Sequence, residues 1–428
     1  MVRTYALFIF LSALFVSIQA QENVANIPNL GQVQYSILKS FEGQDIMAFR
    51  GIKYANAKRF APSELFHTWT GIYNATIDGS ICPQPTRYLH YPEMDEDCLF
   101  LNIYTRDLLH KKPVLVHIHG GGNFRGMSHS SEIGPQYILD KDIVLVTINY
   151  RLGAFGFLST QTAEAPGNNG YKDQAVALKW VRRFIEGFGG DPQSITLSGR
   201  SAGGMAVTLH LLSPMSRGLF QKAIVMSGAT THHYHVDNVQ WTQELAHGLG
   251  CPKYDPKLLV DCLKTKPWKA IIDLCSTWEV YGLSNMKWNY EIEKDFGQEV
   301  FLTGNPTELF KQGEFKRVPI MTGLSRDEFK YSVLRKYHLL FVLLTLQMLL
   351  YIISKRNLSH NDVYIHLFQD KCSLQLPSPY IISLDNLFTL LMILPLLSFG
   401  DKPLGSLLQI NLIKFNYTFR LAIHEWFN

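Results

Sequence analysis

This chain has almost no excess of positive over negative residues. Across 428 residues, 40 Lys and Arg stand against 36 Asp and Glu, a formal net charge of +4. No basic block and no basic–aromatic interleaving runs along it, so the electrostatic footprint of a nucleic-acid binder is missing. There are no internal repeats and no low-complexity linker before Tyr331, so nothing marks a tandem array. A single histidine cluster, His232-His233-Tyr234-His235, reads as a solvated loop after a strand and not as a metal site. Cysteine is scarce, with six residues in all. What the chain does have is apolar content, 46% of it, enough for one large domain or two ordinary ones.

The N-terminus carries Arg3, an apolar run from Ala6 to Val16 and a small residue, Ala20, before Gln21. Residues 1–20 therefore read as a secretory signal peptide, too short and too early for a membrane span. Export would place the cysteines in an oxidising compartment. Asn74-Ala-Thr76, Asn357-Leu-Ser359 and Asn416-Tyr-Thr418 are glycosylation sequons, which fits that route.

Short β-branched runs recur with helical stretches between them: Val114–His119, Ile143–Asn149, Ile195–Ser198, Ala223–Ser227 and Val318–Thr322. From Asp173 to Glu186, Ala177, Leu178, Val181, Phe184 and Ile185 fall at three- and four-residue steps and make one apolar helix face. The pattern predicts an α/β fold, a mostly parallel central sheet flanked by helices.

Two motifs carry chemistry. The strand Ile195–Ser198 breaks at Gly199-Arg200-Ser201-Ala202-Gly203 and continues into a helix, the context of a nucleophile elbow that lifts a serine hydroxyl above the sheet. The two glycines lack a Cβ, so strand and helix can approach closely around Ser201. Upstream, His117-Ile118-His119-Gly120-Gly121-Gly122-Asn123-Phe124 follows the strand Val114-Leu115-Val116. Consecutive glycines there leave N–H groups free to face a developing oxyanion. Ser201 is the candidate nucleophile, and the N–H groups of Gly121, Gly122 and Ala202 are the candidate oxyanion hole. This chemistry is acyl transfer, with no cofactor and no metal.

On these stretches the chain resembles the type B carboxylesterase/cholinesterase family of α/β-hydrolases. Phe188 to Gly203 fits one family signature and Glu96 to Tyr104 the other, and the likeness runs from about Val33 to about Tyr331. The resemblance implies a carboxylic ester hydrolase acting on small-molecule esters. It implies disulfides Cys82–Cys98 and Cys251–Cys262, with Cys275 and Cys372 left over and their pairing open. It also implies Glu328, after the strand Val318–Thr322, as the acidic member of the catalytic set, and Ser227 as a serine that helps hold it. Phe329 stands where the family usually has glycine. Arg200 stands where the family has glutamate, and a guanidinium there disfavours a nearby imidazolium. Between Pro83 and Asp97 there are Tyr88 and Tyr91 but no Trp, which points away from choline esters to general carboxylic esters. Tyr234 falls near an acyl-pocket aromatic of the family.

The family's histidine, in a Gly-x-x-His setting after the acid, has no counterpart. His338, His360, His366 and His424 lack that setting. Residues 332–428 form an atypical Leu-rich tail, so the organisation reads as 1–20 signal peptide, 21–331 hydrolase domain and 332–428 tail. The expected fold is then incomplete at its C-terminus. The tail is read as sequence foreign to the fold, with a buried helix of a diverged fold or a membrane anchor at Tyr337–Ile353 as alternatives. That run is near the lower limit of a spanning helix, about 17–25 residues. The rival functional readings are a cholinesterase-like adhesion or binding protein with impaired catalysis, and a non-functional truncated product.

Overall fold

The computed structural model describes residues 23–85, 92–230, 237–278 and 287–325, together with the backbone of three strands near the C-terminus. The chain divides into two compact units, Met1–Glu328 and Phe329–Asn428.

The first unit is built on an eight-stranded sheet. Its strands are β1 Ser36–Lys39, β2 Asp45–Lys53, β3 Phe100–Thr105, β4 Lys112–Ile118, β5 Val144–Ile148, β6 Gly190–Arg200, β7 Lys222–Met226 and β8 Ile320–Gly323. Across the sheet they run β8-β7-β6-β4-β5-β3-β2-β1. The five strands from β8 to β5 are parallel, and β3, β2 and β1 add an antiparallel side. Every residue of β5 (Val-Leu-Val-Thr-Ile) is buried, as a strand covered on both faces requires. The β-branched runs seen in the sequence fall on these central strands, and the mostly parallel sheet with flanking helices is present.

The boundaries move most in two places. β6 begins at Gly190, earlier than the expected Ile195, because Gly190 pairs with Lys112 before an irregularity that ends at Ile195. The Asp191-Pro192 chemistry of a turn thus sits inside a ladder. The helix expected over Asp173–Glu186 spans Asn169–Phe184 and tightens into a 3₁₀ turn at Ile185–Phe188, closed by Gly189 at φ 76°. Among the described residues the helices of this unit are α1 Gly153–Phe157, α2 Asn169–Phe184, α3 Ala202–Leu212, α4 Asn238–Gly248, α5 Pro256–Thr265, α6 Trp268–Thr277 and α7 Pro306–Gln312.

Trp180 and Tyr171 of α2 are fully buried, with Tyr54, Tyr104, Tyr150 and Phe49 from the sheet and its loops. Two ion pairs lie within this apolar interior. Asp173 accepts from Arg151 Nε and Nη2, each at 2.7 Å, and from the Arg151 N–H at 3.1 Å. The remaining guanidinium nitrogen donates to the carbonyl of Ala61 at 2.7 Å. Lys172 and Glu293 pair at 2.6 Å. Disulfides join Cys82 to Cys98 and Cys251 to Cys262. The first closes a separation of 16 residues, a constraint that stabilises by about 3 kcal/mol.

In the second unit, Tyr364–Phe368, Lys371–Gln375 and Ile381–Ser383 form an antiparallel sheet in that order. The apolar run Tyr337–Ile353 lies outside the described residues. No described helix is long and apolar enough to cross a membrane.

Removing one partner of a buried, fully hydrogen-bonded pair strands the other charge. Asp173→Ala should destabilise the first unit by about 3–5 kcal/mol. The midpoint of denaturant unfolding measures it, and a wild-type midpoint would contradict the role given to this pair.

Candidate active site

β6 ends at Arg200 and α3 begins at Ala202, so the chain must turn within one residue. That residue is Ser201, at φ 57° and ψ −123°, a conformation most side chains avoid. Its N–H donates to the carbonyl of Met226 at 2.8 Å and its carbonyl accepts from the N–H of Met205 at 2.9 Å. β7 therefore anchors the turn on one side and the first turn of α3 on the other. Strain held by its surroundings in this way clusters at working sites.

The surroundings hold it by glycine. A Cβ at Gly199 would overlap the carbonyl of Gly203, one at Gly203 the carbonyl of Ile118, and one at Gly228 the carbonyl of Ser201. At Gly204 a Cβ would lie 2.9 Å from the Gly228 carbonyl. The elbow glycines 199 and 203 follow from the motif. Gly228 is as closely confined and Gly204 somewhat less, and the packing of β7 against α3 reveals both.

The glycine turn after β4 meets the same point. A Cβ at Gly120 would stand 2.5 Å from the Arg200 carbonyl and 3.2 Å from Ser201 Cβ, so the two motifs touch. Gly121 (φ 117°) and Gly122 (φ 66°) then carry the chain through conformations suited to glycine. Among the described residues, the N–H groups of Gly121, Gly122 and Ala202 have no hydrogen-bond acceptor. Ala202 is the first residue of α3, where unpaired N–H groups and the helix dipole favour negative charge.

Two histidines flank the turn. His119 stacks on Tyr150 with centroids 4.4 Å apart, its ring Nδ1 lies 2.8 Å from the Gly120 carbonyl, and Tyr150 donates to the His119 carbonyl at 2.9 Å. Burial pushes its pKa down to about 4. His117 Nδ1 lies 3.0 Å from Ser198 Oγ. Its pKa is also pushed down to about 4, by burial first and then by the Arg200 cation. Both imidazoles are neutral at pH 7. Neither touches Ser201, whose Oγ makes no hydrogen bond among the described residues.

Arg200 is exposed and forms no ion pair among the described residues. Ser227 sits at φ 50°, and its N–H donates to the Gly323 carbonyl of β8 at 2.8 Å. β8 thus lies beside β7, one strand removed from the elbow. Glu328, Asp327, Phe329, Tyr88, Tyr91, Tyr234 and the His232–His235 cluster lie outside the described residues, as do His338, His360 and His424. His366 and Cys372 fall on strands of the second unit. Among the described residues no group of three or more His, Cys, Asp or Glu is placed to hold a metal ion.

Comparison with known proteins gives a consistent result. The model of the carboxylesterase family matches residues 21–373, running on past Tyr331, where the likeness read from the motifs ends. The chain is 37% identical over 343 residues to esterase FE4 of Myzus persicae, and 39% identical over 316 residues to juvenile hormone esterase of Tribolium castaneum. These alignments cover 75% and 70% of this chain, and 58% and 53% of the relatives' lengths. The chain therefore spans just over half the length of the curated relatives it matches. A crystal structure of juvenile hormone esterase from Manduca sexta, with OTFP covalently attached, superposes with a TM-score of 0.67 at 28% identity, covering 74% of this chain and 65% of that one. With Ser201 lifted at the end of β6 against a glycine turn, on an α/β-hydrolase sheet, the chain belongs to the carboxylesterase family, the type B carboxylesterases and cholinesterases.

Proposed function

We propose that the chain hydrolyses small carboxylic esters through an acyl-enzyme on Ser201. The observation that carries this reading is the strained turn at Ser201 packed against Gly120, with the N–H groups of Gly121, Gly122 and Ala202 left without acceptors among the described residues. In the proposed reaction Ser201 Oγ attacks the ester carbonyl carbon. The N–H groups of Gly121, Gly122 and Ala202 receive the oxyanion, the alcohol leaves, and water resolves the acyl-enzyme. Glu328 is the acidic member that orients a histidine base. The names of the relatives, esterase FE4, juvenile hormone esterase and the pyrethroid hydrolase of Rattus norvegicus, support an ester as substrate.

The proposed organisation is a signal peptide over residues 1–20, a hydrolase domain over 21–331 and a tail over 332–428. The protein is then a secreted glycoprotein. Asn74, exposed at the end of a short strand, is the described sequon that an oligosaccharide would occupy.

A second reading has its own support. Arg200 brings a cation to the nucleophile and no described histidine reaches Ser201 Oγ. Both features fit a carboxylesterase-like binding protein with slow turnover.

The chain expressed in secreting cells tests these readings together. The medium should hold protein beginning near Gln21 that cleaves p-nitrophenyl acetate, and Ser201→Ala should lower turnover by about 10⁴–10⁶-fold. Equal rates would remove the hydrolase reading, and an intact Met1 would remove the export reading. Arg200→Glu replaces a cation that disfavours imidazolium with a carboxylate that favours it. It should raise turnover near neutral pH, and an unchanged rate would show that Arg200 does not act on the base.

A further inference from the structure

Asn123 follows the glycine turn and sits at φ 64°, in the left-handed region. Asparagine visits this region more readily than other residues with a side chain, yet glycine does so at no cost. Backbone geometry alone therefore does not account for a residue that also buries its amide, at 4% exposure. What asparagine adds over glycine is that amide.

The amide ties the turn to two other parts of the first unit. Asn123 Nδ2 donates to the Tyr171 hydroxyl of α2 at 3.0 Å and to the Trp288 carbonyl at 3.4 Å. The carbonyl only accepts, so the amide nitrogen must face it and the orientation of the group is settled by chemistry. On the backbone, the Asn123 carbonyl accepts from Gly153 N–H, the first residue of α1, at 2.7 Å. The anchors are rigid. Tyr171 is fully buried, stacks on Phe301 with centroids 5.2 Å apart and meets Phe157 edge-on. Trp288 is 3% exposed.

The arrangement has a cost that stability alone does not repay. Asn123 Oδ1 is buried and has no hydrogen-bond partner among the described residues. An orphaned buried oxygen is penalised by the solvation it has lost. It is accepted one residue after Gly122, whose N–H has no acceptor among the described residues.

We propose that Asn123 is a positioning residue, whose buried amide clamps the glycine turn so that the N–H groups of Gly121 and Gly122 are held in place for the oxyanion. The proposal rests on the hydrolase reading for its catalytic consequence, but the clamp itself does not. An oxyanion hole works by being pre-formed, since donors that must be ordered during reaction lose their advantage. A loosened turn would bind the ester as before and fail to stabilise the charge that develops on it.

Two variants of the full chain test this. Asn123→Gly keeps the left-handed backbone and removes the amide. Asn123→Asp keeps the shape and replaces the donor with a carboxylate facing the Trp288 carbonyl. Both should lower kcat for p-nitrophenyl acetate by about 10²-fold while KM stays within about threefold, the pattern of an interaction made only in the transition state. Hydrogen exchange followed by mass spectrometry supplies a readout independent of turnover. In Asn123→Gly the amides of 119–126 should exchange faster, with β4, β6 and α3 unchanged. Unchanged exchange would overturn the clamp. So would a rise in KM at constant kcat. If the unaltered chain cleaves no ester, the hydrolase reading fails, and the exchange result alone upholds or overturns the clamp.

Discussion

The rest of the site depends on three backbones meeting around one residue. The end of β6, the turn after β4 and the turn after β7 converge on Ser201 at separations that leave no room for a Cβ at Gly120, Gly199, Gly203 or Gly228. Ser201 carries the one side chain at the centre of this convergence, and its positive φ is imposed from all sides. A serine elsewhere on the surface has the same hydroxyl. It lacks the fixed geometry imposed on Ser201, and on the proposed reading that order, present before an ester binds, lowers the barrier to acyl transfer.

The sheet supplies the alignment. Because β4 and β6 are parallel neighbours, with Gly199 opposite Ile118, their C-terminal ends lie side by side. The two loops that leave them can therefore touch. β7 and β8 continue the parallel order, so the Met226-Ser227-Gly228 turn and the chain leading to Glu328 emerge at the same edge. A functional site outside the carboxyl ends of parallel strands is the usual consequence of this topology. The buried pair Arg151–Asp173 fixes α2 to the loop after β5, and Tyr171 of that helix in turn holds Asn123.

What the sequence revealed was what it encodes locally. The elbow and the glycine turn are short runs whose residue types are dictated by their own backbone, so Ser201, Gly121, Gly122 and Ala202 could be named without a fold. β5 was legible because burial on both faces leaves no polar positions to blur it. The start of β6 was not, because Asp191 and Pro192 obey turn chemistry while their neighbours obey a distant pairing with Lys112. Gly228 and Asn123 owe their character to contacts across more than twenty residues of chain. No local pattern marks them. The stretch from Trp288 to Glu293 has no regular structure, and its polar groups are satisfied by the side chains of Asn123, Asn168 and Asn238 and by the Glu293–Lys172 pair. Periodicity cannot find such a segment. Glu328, His338, His360 and His424 lie outside the described residues, and His366 falls on a strand.

A fluorophosphonate tests, without choosing an ester, whether the fold makes Ser201 a reactive nucleophile. The full chain is treated with the probe beside Ser201→Ala, and any adduct is mapped by mass spectrometry. One adduct is expected, on Ser201 and absent from the alanine variant. Folded protein that forms no adduct, or forms it on another residue, would contradict that expectation.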